Sequence, residues 1–386
     1  MQIEIAQKQL ETLLTTAYKA VGNKPVQPIL SCFLIQADAK EQKITITSYD
    51  GKLCITTRAE CKVRSSGTVA LSARLLTDIV CSVAGTLLLE IADKQAVVTH
   101  TTGKCRITTM DEREFPELPQ VEGESILLPV QTLKEAFGST LFAAAKDEIK
   151  QILAGIHLQL SASNWECAAT DGHRLGVISS SSDINTFDRA VTIPQATISC
   201  LKELLNGTTE NCQIAISSNA ICFNLKDICL TSLLLEGSYP NYRSLIPEQF
   251  DHHFTTSKNS LKAALERVTI VTSGKEKIVQ VTFTSAQATL YAESADIGGA
   301  VETVPITGGN DNTKIAFGFN AKYLLEALRA IVTSEVTIKA TAPTYPVVLS
   351  PSGNGNQIAL VMPVQLKEVK EFAIDPIVAK TEDALV

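Results

Sequence analysis

The stretch AQKQLETLLTTAYKAV, residues 6–21, decides how the rest of the chain is read, because its pattern returns twice. Apolar residues recur in it at helical spacing with polar residues between, the signature of a helix with one buried face. PVQTLKEAFGSTLFAAA (129–145) and SKNSLKAALERVTIV (257–271) repeat that pattern, with Leu10, Leu133 and Leu261 in comparable positions. Repetition of this kind sets the architecture before any local feature does.

Working outward, each helix is followed by a strand-rich stretch: ILSCFLIQADAKEQKITITSYDGKLCITTRAE, ILAGIHLQLSASNWECAATDGHRLGVIS and VQVTFTSAQATLYAESADIGGAVETVP. Apolar and polar residues alternate in all three, as half-buried strands demand. Each reaches an acidic turn, at Asp50-Gly51, at Asp171-Gly172 and at Asp296 before Gly298-Gly299. A second helix then begins near Leu71 (LSARLLTDIVCSV), Ile193 (IPQATISCLKELL) and Phe319 (FNAKYLLEALRAI). Ser, Pro and Asn near these starts suit N-caps or first turns. Further strands close each unit.

The interval between copies is about 120 residues, well beyond the roughly 20–50 residues of a solenoid repeat. It is the size of a domain. The expected fold is therefore α+β, with three tandem similar domains of two helices and about eight strands each, the helices covering one face of the sheets. Pro-rich and polar stretches at FPELPQVEGE (115–124) and YPNYRSLIPEQFDHH (239–253) read as linkers. They set domains at 1–121, 122–249 and 250–366 and leave a tail, 367–386, that is expected to be flexible.

The chain has 386 residues, 45% of them hydrophobic, and a net charge of −7. An acidic balance argues against phosphate binding if charge is taken as a sum. An acidic outer surface is nevertheless compatible with a basic inner one. Aromatic residues make up only 5%, few for a protein that reads bases by stacking. The ten cysteines (32, 54, 61, 81, 105, 167, 200, 212, 222 and 229) contain no C-x-x-C pair, and most lie in apolar strand-like runs. They read as buried free thiols of a reducing compartment. Five scattered histidines supply no zinc cluster. The start MQIEIAQKQLETLL lacks the apolar core of a signal peptide, and no apolar run reaches the length of about 18 residues needed to span a membrane. A cytoplasmic protein without cofactors is expected.

Motifs of chemistry are scarce. There is no G-x-x-x-x-G-K-[ST], no G-x-S-x-G and no H-E-x-x-H. SGNGNQ (352–357) reads as a hairpin loop. In ATDGHRLGV (169–177), Asp171 and His173 admit an acid–base reading, but no nucleophile accompanies them and the other repeats have no equivalent His. Asp-Gly turn chemistry and a binding surface are the other two readings. Basic residues on or beside the predicted helices include Lys8, Lys19, Lys134, Lys146, Lys150, Lys202, Lys262, Arg267, Lys322 and Arg329. Singly, each suits a solvated helix face. Together they suit a surface that meets phosphates without reading sequence. Glu11, Glu135, Glu203, Glu266 and Glu326 on the same helices keep that field modest.

ATDGHRL (169–175), EGSYPNYRSLIP (236–247), FNAKYLLEAL (319–328) and LVMPVQL (360–366), in this order on a threefold repeat, resemble the bacterial sliding clamp family, the β subunit of the replicative DNA polymerase. The resemblance runs from residue 1 to 366 and includes PILSCFLIQA near the N-terminus. It implies a non-enzymatic processivity factor. Two chains would pair head-to-tail into a six-domain ring around duplex DNA, with helices lining the hole and the tie to DNA topological. An ATP-driven clamp loader would place the ring.

The resemblance also implies that polymerases and repair factors dock short peptides. The matching positions are Leu153, Thr170, Gly172, His173, Arg174, Leu175, Pro240, Leu245, Val347, Val361, Met362, Pro363, Val364 and Leu366. Apolar members would take hydrophobic anchors, with Met adaptable, and His173 and Arg174 would give polar contacts at the rim. Val347 and Val361 are alternatively plain core residues. For the ring contact, Ile270 and Val271 match the apolar part on the third domain, and the strand around Lys104–Ile107 is the partner edge. DNA-facing positions are Lys24, Lys134, Lys146, Lys150, Lys202 and Lys322, while Asp147 stands where a neutral polar contact is implied.

The chain departs from the family after Leu366 by continuing as KEVKEFAIDPIVAKTEDALV. One expectation is that Phe372–Ile377 folds back beside Leu366 and competes with partners. A monomeric repeat scaffold that never circles DNA, and an enzyme built on Asp171 and His173, are the rival readings of the whole.

Overall fold

The computed structural model describes the chain apart from residues 23–24, 93, 147, 182–187, 207–210, 273–276, 310–312, 354 and 372–386, and gives only the backbone of 148–150. The chain divides into two compact units, Met1–Leu245 with Asn354–Ala359, and Ile246–Gly353 with Leu360–Val386.

The larger unit holds two of the repeats. Its helices are α1 (Gln7–Ala17), α2 (Ala73–Ser82), α3 (Val130–Thr140) and α4 (Gln195–Leu205). In α1, Leu10, Leu13, Leu14 and Ala17 are buried, the helical spacing read from the sequence. In α3 the buried set includes Val130, Leu133, Ala136 and Phe137. The first repeat closes with a five-stranded antiparallel sheet in the order Lys62–Ser65, Gln2–Ala6, Thr86–Ala92, Gln95–His100, Gly103–Thr108. The last of these strands is an edge.

An eight-stranded sheet joins the two repeats. From the second repeat come Glu124–Pro129, Asn211–Ile216, Ala220–Leu225 and Ile228–Leu233; from the first come Leu53–Glu60, Lys43–Tyr49, Cys32–Asp38 and Gly67–Ser72. At the seam Leu230 is paired with Ile55 and Thr231 with Cys54. The core ignores the repeat boundary too: Leu53 and Ile55 pack with Leu133, Phe137, Ile198, Leu201, Phe223 and Leu230. A third sheet of this unit runs Arg189–Pro194, Gly155–Leu160, Asn164–Thr170, Arg174–Ser181.

The smaller unit carries α5 (Lys258–Thr269) and α6 (Ala321–Ala330). An antiparallel sheet orders Gly298–Pro305, Gln287–Ser294, Ile278–Thr284, Lys314–Asn320. Phe254 stacks on Phe283 at 4.7 Å, and Phe317 meets Phe283 edge-on at 6.1 Å. These rings join Leu261, Leu265, Leu324 and Leu328 among its buried side chains.

Side-chain caps follow the sequence reading at two helices. Ser72 and Asn320, read from the sequence, accept backbone N–H bonds at the starts of α2 and α6, and Ser257, which the sequence reading did not name, does so at α5. Pro194 occupies the N-cap of α4 with no side-chain bond. The stretch 239–253 differs from a plain linker. It contains a short 3₁₀ turn, Tyr242–Leu245, and its end enters the strand His252–Ser257. Tyr242 is buried, so this connection is packed rather than loose.

Candidate docking and assembly surfaces

The acidic turns at Asp50 and Asp171 share one geometry. Asp50 Oδ1 accepts from the N–H groups of Lys52 and Leu53, and Asp171 Oδ1 accepts from those of His173 and Arg174. Gly51 and Gly172 follow with φ of +99° and +93°, a conformation that favours glycine. Asp171 is thus a turn former, and its remaining oxygen holds the Arg174 Nε at 3.0 Å.

Within the larger unit the expected docking residues fall into two groups. Gly172, His173, Pro240 and Leu245 carry exposed surface, and Leu153, Thr170, Arg174 and Leu175 are buried. Arg174 is the most constrained of the polar members. Its side chain is 3% exposed, paired with Asp171, and 5.7 Å from the Phe142 ring centre. In the single chain this pairing holds it against the turn, as deep as its neighbours Thr170 and Leu175. Close packing behind it depends on Gly176, where a Cβ would fall 2.8 Å from the Ser139 carbonyl oxygen.

Aromatic side chains that the sequence reading passed over set this surface. The Tyr239 ring stacks on His157 with centroids 4.7 Å apart, and its hydroxyl accepts the Thr170 N–H at 3.0 Å. Burial pushes the Tyr239 phenol up to about 12. Burial also lowers His157, against the opposing pull of Glu166. Tyr242 donates its hydroxyl to the Glu166 carboxylate, which also accepts from Arg243 Nη2 at 2.9 Å. This anchor presents Leu245, 46% exposed, at the end of the 3₁₀ turn. Two tyrosines inside a Pro-rich, polar stretch were the available signal.

In the smaller unit Met362, Pro363, Val364 and Leu366 are half-buried, whereas Val347 and Val361 are 1% and 0% exposed. The two valines are core residues that support the surface from beneath. Val364 is set by a backbone bond from its N–H to the Gly318 carbonyl at 2.8 Å. Gly318 was not singled out from the sequence, yet a Cβ there would lie 2.6 Å from the Val364 oxygen and 2.8 Å from Leu366 Cδ2. A glycine inside a strand is the mark of such a close approach.

The described part of the tail is held as well. Gln280, 5% exposed, uses its side-chain amide like a short piece of strand, accepting from the Lys370 N–H at 3.0 Å and donating to the Lys370 carbonyl at 2.7 Å. Lys370 also pairs with Glu293 at 2.9 Å. Phe372–Ile377 lie outside the described residues.

The edge strand Gly103–Thr108 carries Lys104 exposed, but Ile107 is 4% exposed and belongs to the core of the first repeat with Ile3, Leu87 and Val98. Strand alternation points the Ile107 side chain inward, so what the strand offers as an edge is its backbone and its outward side chains. Ile270 is 75% exposed and Val271 half-buried, beside α5. The strand Gly298–Pro305 is also an edge of its sheet. It was missed because edge position depends on strand order, which local pattern does not reveal.

Of the expected DNA-facing cations, Lys146 and Lys322 are exposed, and Lys134 and Lys202 are half-buried. Burial lowers Lys202 from its ordinary value. None of these four has an ion-pair partner among the described residues. Other helix cations are already paired: Lys19 with Glu203, Arg267 with Glu302 and Arg329 with Glu266. Lys24 and Asp147 lie outside the described residues, as does the Lys150 side chain. Among the described residues there is no cluster suited to a metal, and no helix is long and apolar enough to cross a membrane.

Comparison with known proteins covers the whole pattern. Residues 1–119, 127–241 and 243–365 match the DNA polymerase III beta subunit N-terminal, central and C-terminal domains in turn. The beta sliding clamp of Synechococcus elongatus is 34% identical over 376 residues, covering 95% of this chain and all of that one. That of Staphylococcus aureus is 26% identical over 380 residues, covering 95% and 99%. Among solved structures, the DNA polymerase sliding clamp of Bacillus subtilis superposes with a TM-score of 0.90 at 24% identity, over 95% of this chain and 99% of that one. The Pseudomonas aeruginosa clamp bound to griselimycin gives 0.90 at 22%, over 95% and 100%. Three consecutive domain matches and a full-length relative at this identity place the chain in the DNA polymerase III beta subunit family, the beta sliding clamps.

Proposed function

We propose that this chain is a DNA polymerase processivity factor that encircles duplex DNA and tethers the polymerase to it. It is a non-catalytic subunit, and its action is mechanical. The observation that carries this reading is the full-length, in-order match to the three beta-subunit domains, with 34% identity to a beta sliding clamp along that relative's entire length.

Two chains assemble head-to-tail into a ring of six domains, divided near 121 and 249 in each chain. The edge Gly103–Thr108 of one chain pairs with the edge Gly298–Pro305 of its partner, and Lys104, Ile270 and Val271 flank the joint. Supporting this, both strands are edges with unspent backbone groups, and pairing removes the hazard such edges carry. Ile270 is a large apolar side chain with no cover in the single chain.

The DNA contact is weak by design. Lys134, Lys146, Lys202 and Lys322 supply unpaired positive charge, with Lys24 and Lys150 adding to it, and they read no bases. Retention comes from closure of the ring, so the acidic net charge is no obstacle. Polymerase subunits, the clamp loader and repair factors dock short peptides on the two groups built around Leu153, Thr170, Gly172, His173, Arg174, Leu175, Pro240 and Leu245, and around Met362, Pro363, Val364 and Leu366, with Val347 and Val361 behind the second group. The P. aeruginosa clamp's capture of griselimycin supports a ligand-binding surface in this family. A cytoplasmic location fits a replication protein and its free thiols.

The test is retention on nicked circular DNA after loading by a clamp loader, before and after the circle is cut. A protein that survives high salt on the circle and runs off the linear form is topologically linked. Equal loss from both forms, with a control clamp loaded in parallel, makes the chain a monomeric scaffold. Solution mass gives the same division, since a ring needs two chains.

A further inference from the structure

Three thiols share one face of the sheet at the seam between the first two repeats. Ile221, Phe223, Leu225, Leu230, Leu53 and Ile55 point into the core. Alternation puts Cys222, Cys229, Thr231 and Cys54 on the opposite face. Cys222 lies directly across from Thr231, and Cys229 is the diagonal neighbour, paired with Asn224. Their sulfurs are 3.1 Å apart, and Cys229 Sγ is 3.7 Å from the Thr231 hydroxyl. A disulfide needs about 2.05 Å between sulfurs and Cα atoms within about 7 Å, so closing this diagonal pair draws the two strands together as well as the sulfurs.

The two thiols are not equivalent. Cys222 is 7% exposed, whereas Cys229 is half-buried and can be reached by a small molecule. The two thiols share a hydrogen bond in which either sulfur can donate, and at Cys229 the Thr231 hydroxyl and the Arg58 charge add to its effect. Together, against the opposing effect of burial, they lower Cys229, while Cys222 is pushed up. The thiolate is the attacking form. Cys229 is therefore the nucleophile and Cys222 the resolving thiol.

We infer that Cys229 and Cys222 form a thiol–disulfide exchange site for low-molecular-weight disulfides. The Cys229 thiolate attacks one sulfur of the small disulfide, forming a mixed disulfide and expelling one thiolate. Cys222 then loses its proton, attacks Cys229 Sγ and expels the second thiolate. The two expelled thiolates take up the two protons the protein gave up. Two protein thiols are oxidised and one small disulfide is reduced to two thiols. In a reducing compartment the pair rests as dithiol, and under oxidation it closes. The link would cross the hairpin whose turn residue Asp227 accepts the Arg58 N–H at 2.9 Å, locking the strand that makes the seam.

The test exposes the full chain to oxidised glutathione, quenches it with acid, alkylates the remaining thiols and maps the peptides. The expected product is lighter by two hydrogens, with Cys222 linked to Cys229 and neither alkylated. Cys222→Ser should retain glutathione on Cys229, and Cys229→Ser should leave Cys222 unmodified. The native-chain map needs neither variant, so a folding defect in one leaves the test intact. The inference is overturned if exposed Cys81 carries glutathione, showing the oxidant was active, while Cys222 and Cys229 are both recovered alkylated.

Discussion

The Thr170 N–H donates to the Tyr239 hydroxyl at 3.0 Å, tying the strand that leads into the Asp171 turn to the segment that ends in Leu245. Both ends of this bond carry expected docking residues, so its loss would reach docking through position rather than contact. Tyr239→Phe keeps the ring stacked on His157 but strands a half-buried donor, a loss of about 1–3 kcal/mol. A lowered thermal midpoint together with weaker binding of a clamp-binding peptide is expected. A midpoint that drops with unchanged peptide affinity would confine Tyr239 to stability.

Gly318→Ala places a methyl group 2.6 Å from a backbone oxygen that cannot swing away. Overpacking of this kind costs about 1–3 kcal/mol. Val364 and Leu366 must shift, and peptide affinity should fall at least about tenfold, equal to about 1.4 kcal/mol. Fluorescence anisotropy with a labelled peptide measures it, and wild-type affinity would remove Gly318 from any docking role.

His157 gives a pH dependence with a definite sign. Its folded value lies below the ordinary 6.5, chiefly through burial, with Glu166 pulling the other way. Its ring also faces the phenols of Tyr239 and Tyr242. As pH falls below 6.5 the unfolded chain takes up the proton first, so stability drops on the acid side and is intact above it. Urea midpoints on both sides of that pH, compared with His157→Gln, should show the wild type losing more on acidification. Equal losses would mean that other groups carry the effect.

Ile270→Glu replaces a side chain that is 75% exposed in the single chain, so folding should be nearly untouched. A charge at the proposed joint should nonetheless shift the dimer toward monomer in sedimentation. A dimer as tight as wild type would move the joint elsewhere.

Much of the fold was legible in the sequence because its signals were local and came in triplicate. The spacing of Leu10, Leu133 and Leu261 marks buried helix faces, and all three are buried. Asp-Gly at 50–51 and 171–172 marks turns because a short acceptor and a residue tolerant of positive φ solve the same geometric problem twice. The proposed docking surface was legible only as a roster. That Arg174 is held by Asp171, that Ile107 faces inward, and that Val347 and Val361 lie beneath the surface all depend on packing partners distant in sequence. Gly318 and Tyr239 escaped notice for the same reason: each matters through a neighbour about 46 or 69 residues away.

The amide of Gln280 grips Lys370 on both sides, five residues beyond where the matched C-terminal domain stops at 365. A chain trimmed to the family's own length would leave that buried amide with the Thr282 hydroxyl, at 3.1 Å, but without either backbone bond to Lys370. The functional end of this domain is therefore set by hydrogen bonding rather than by resemblance, and any experiment on the remaining tail should cut after Glu371.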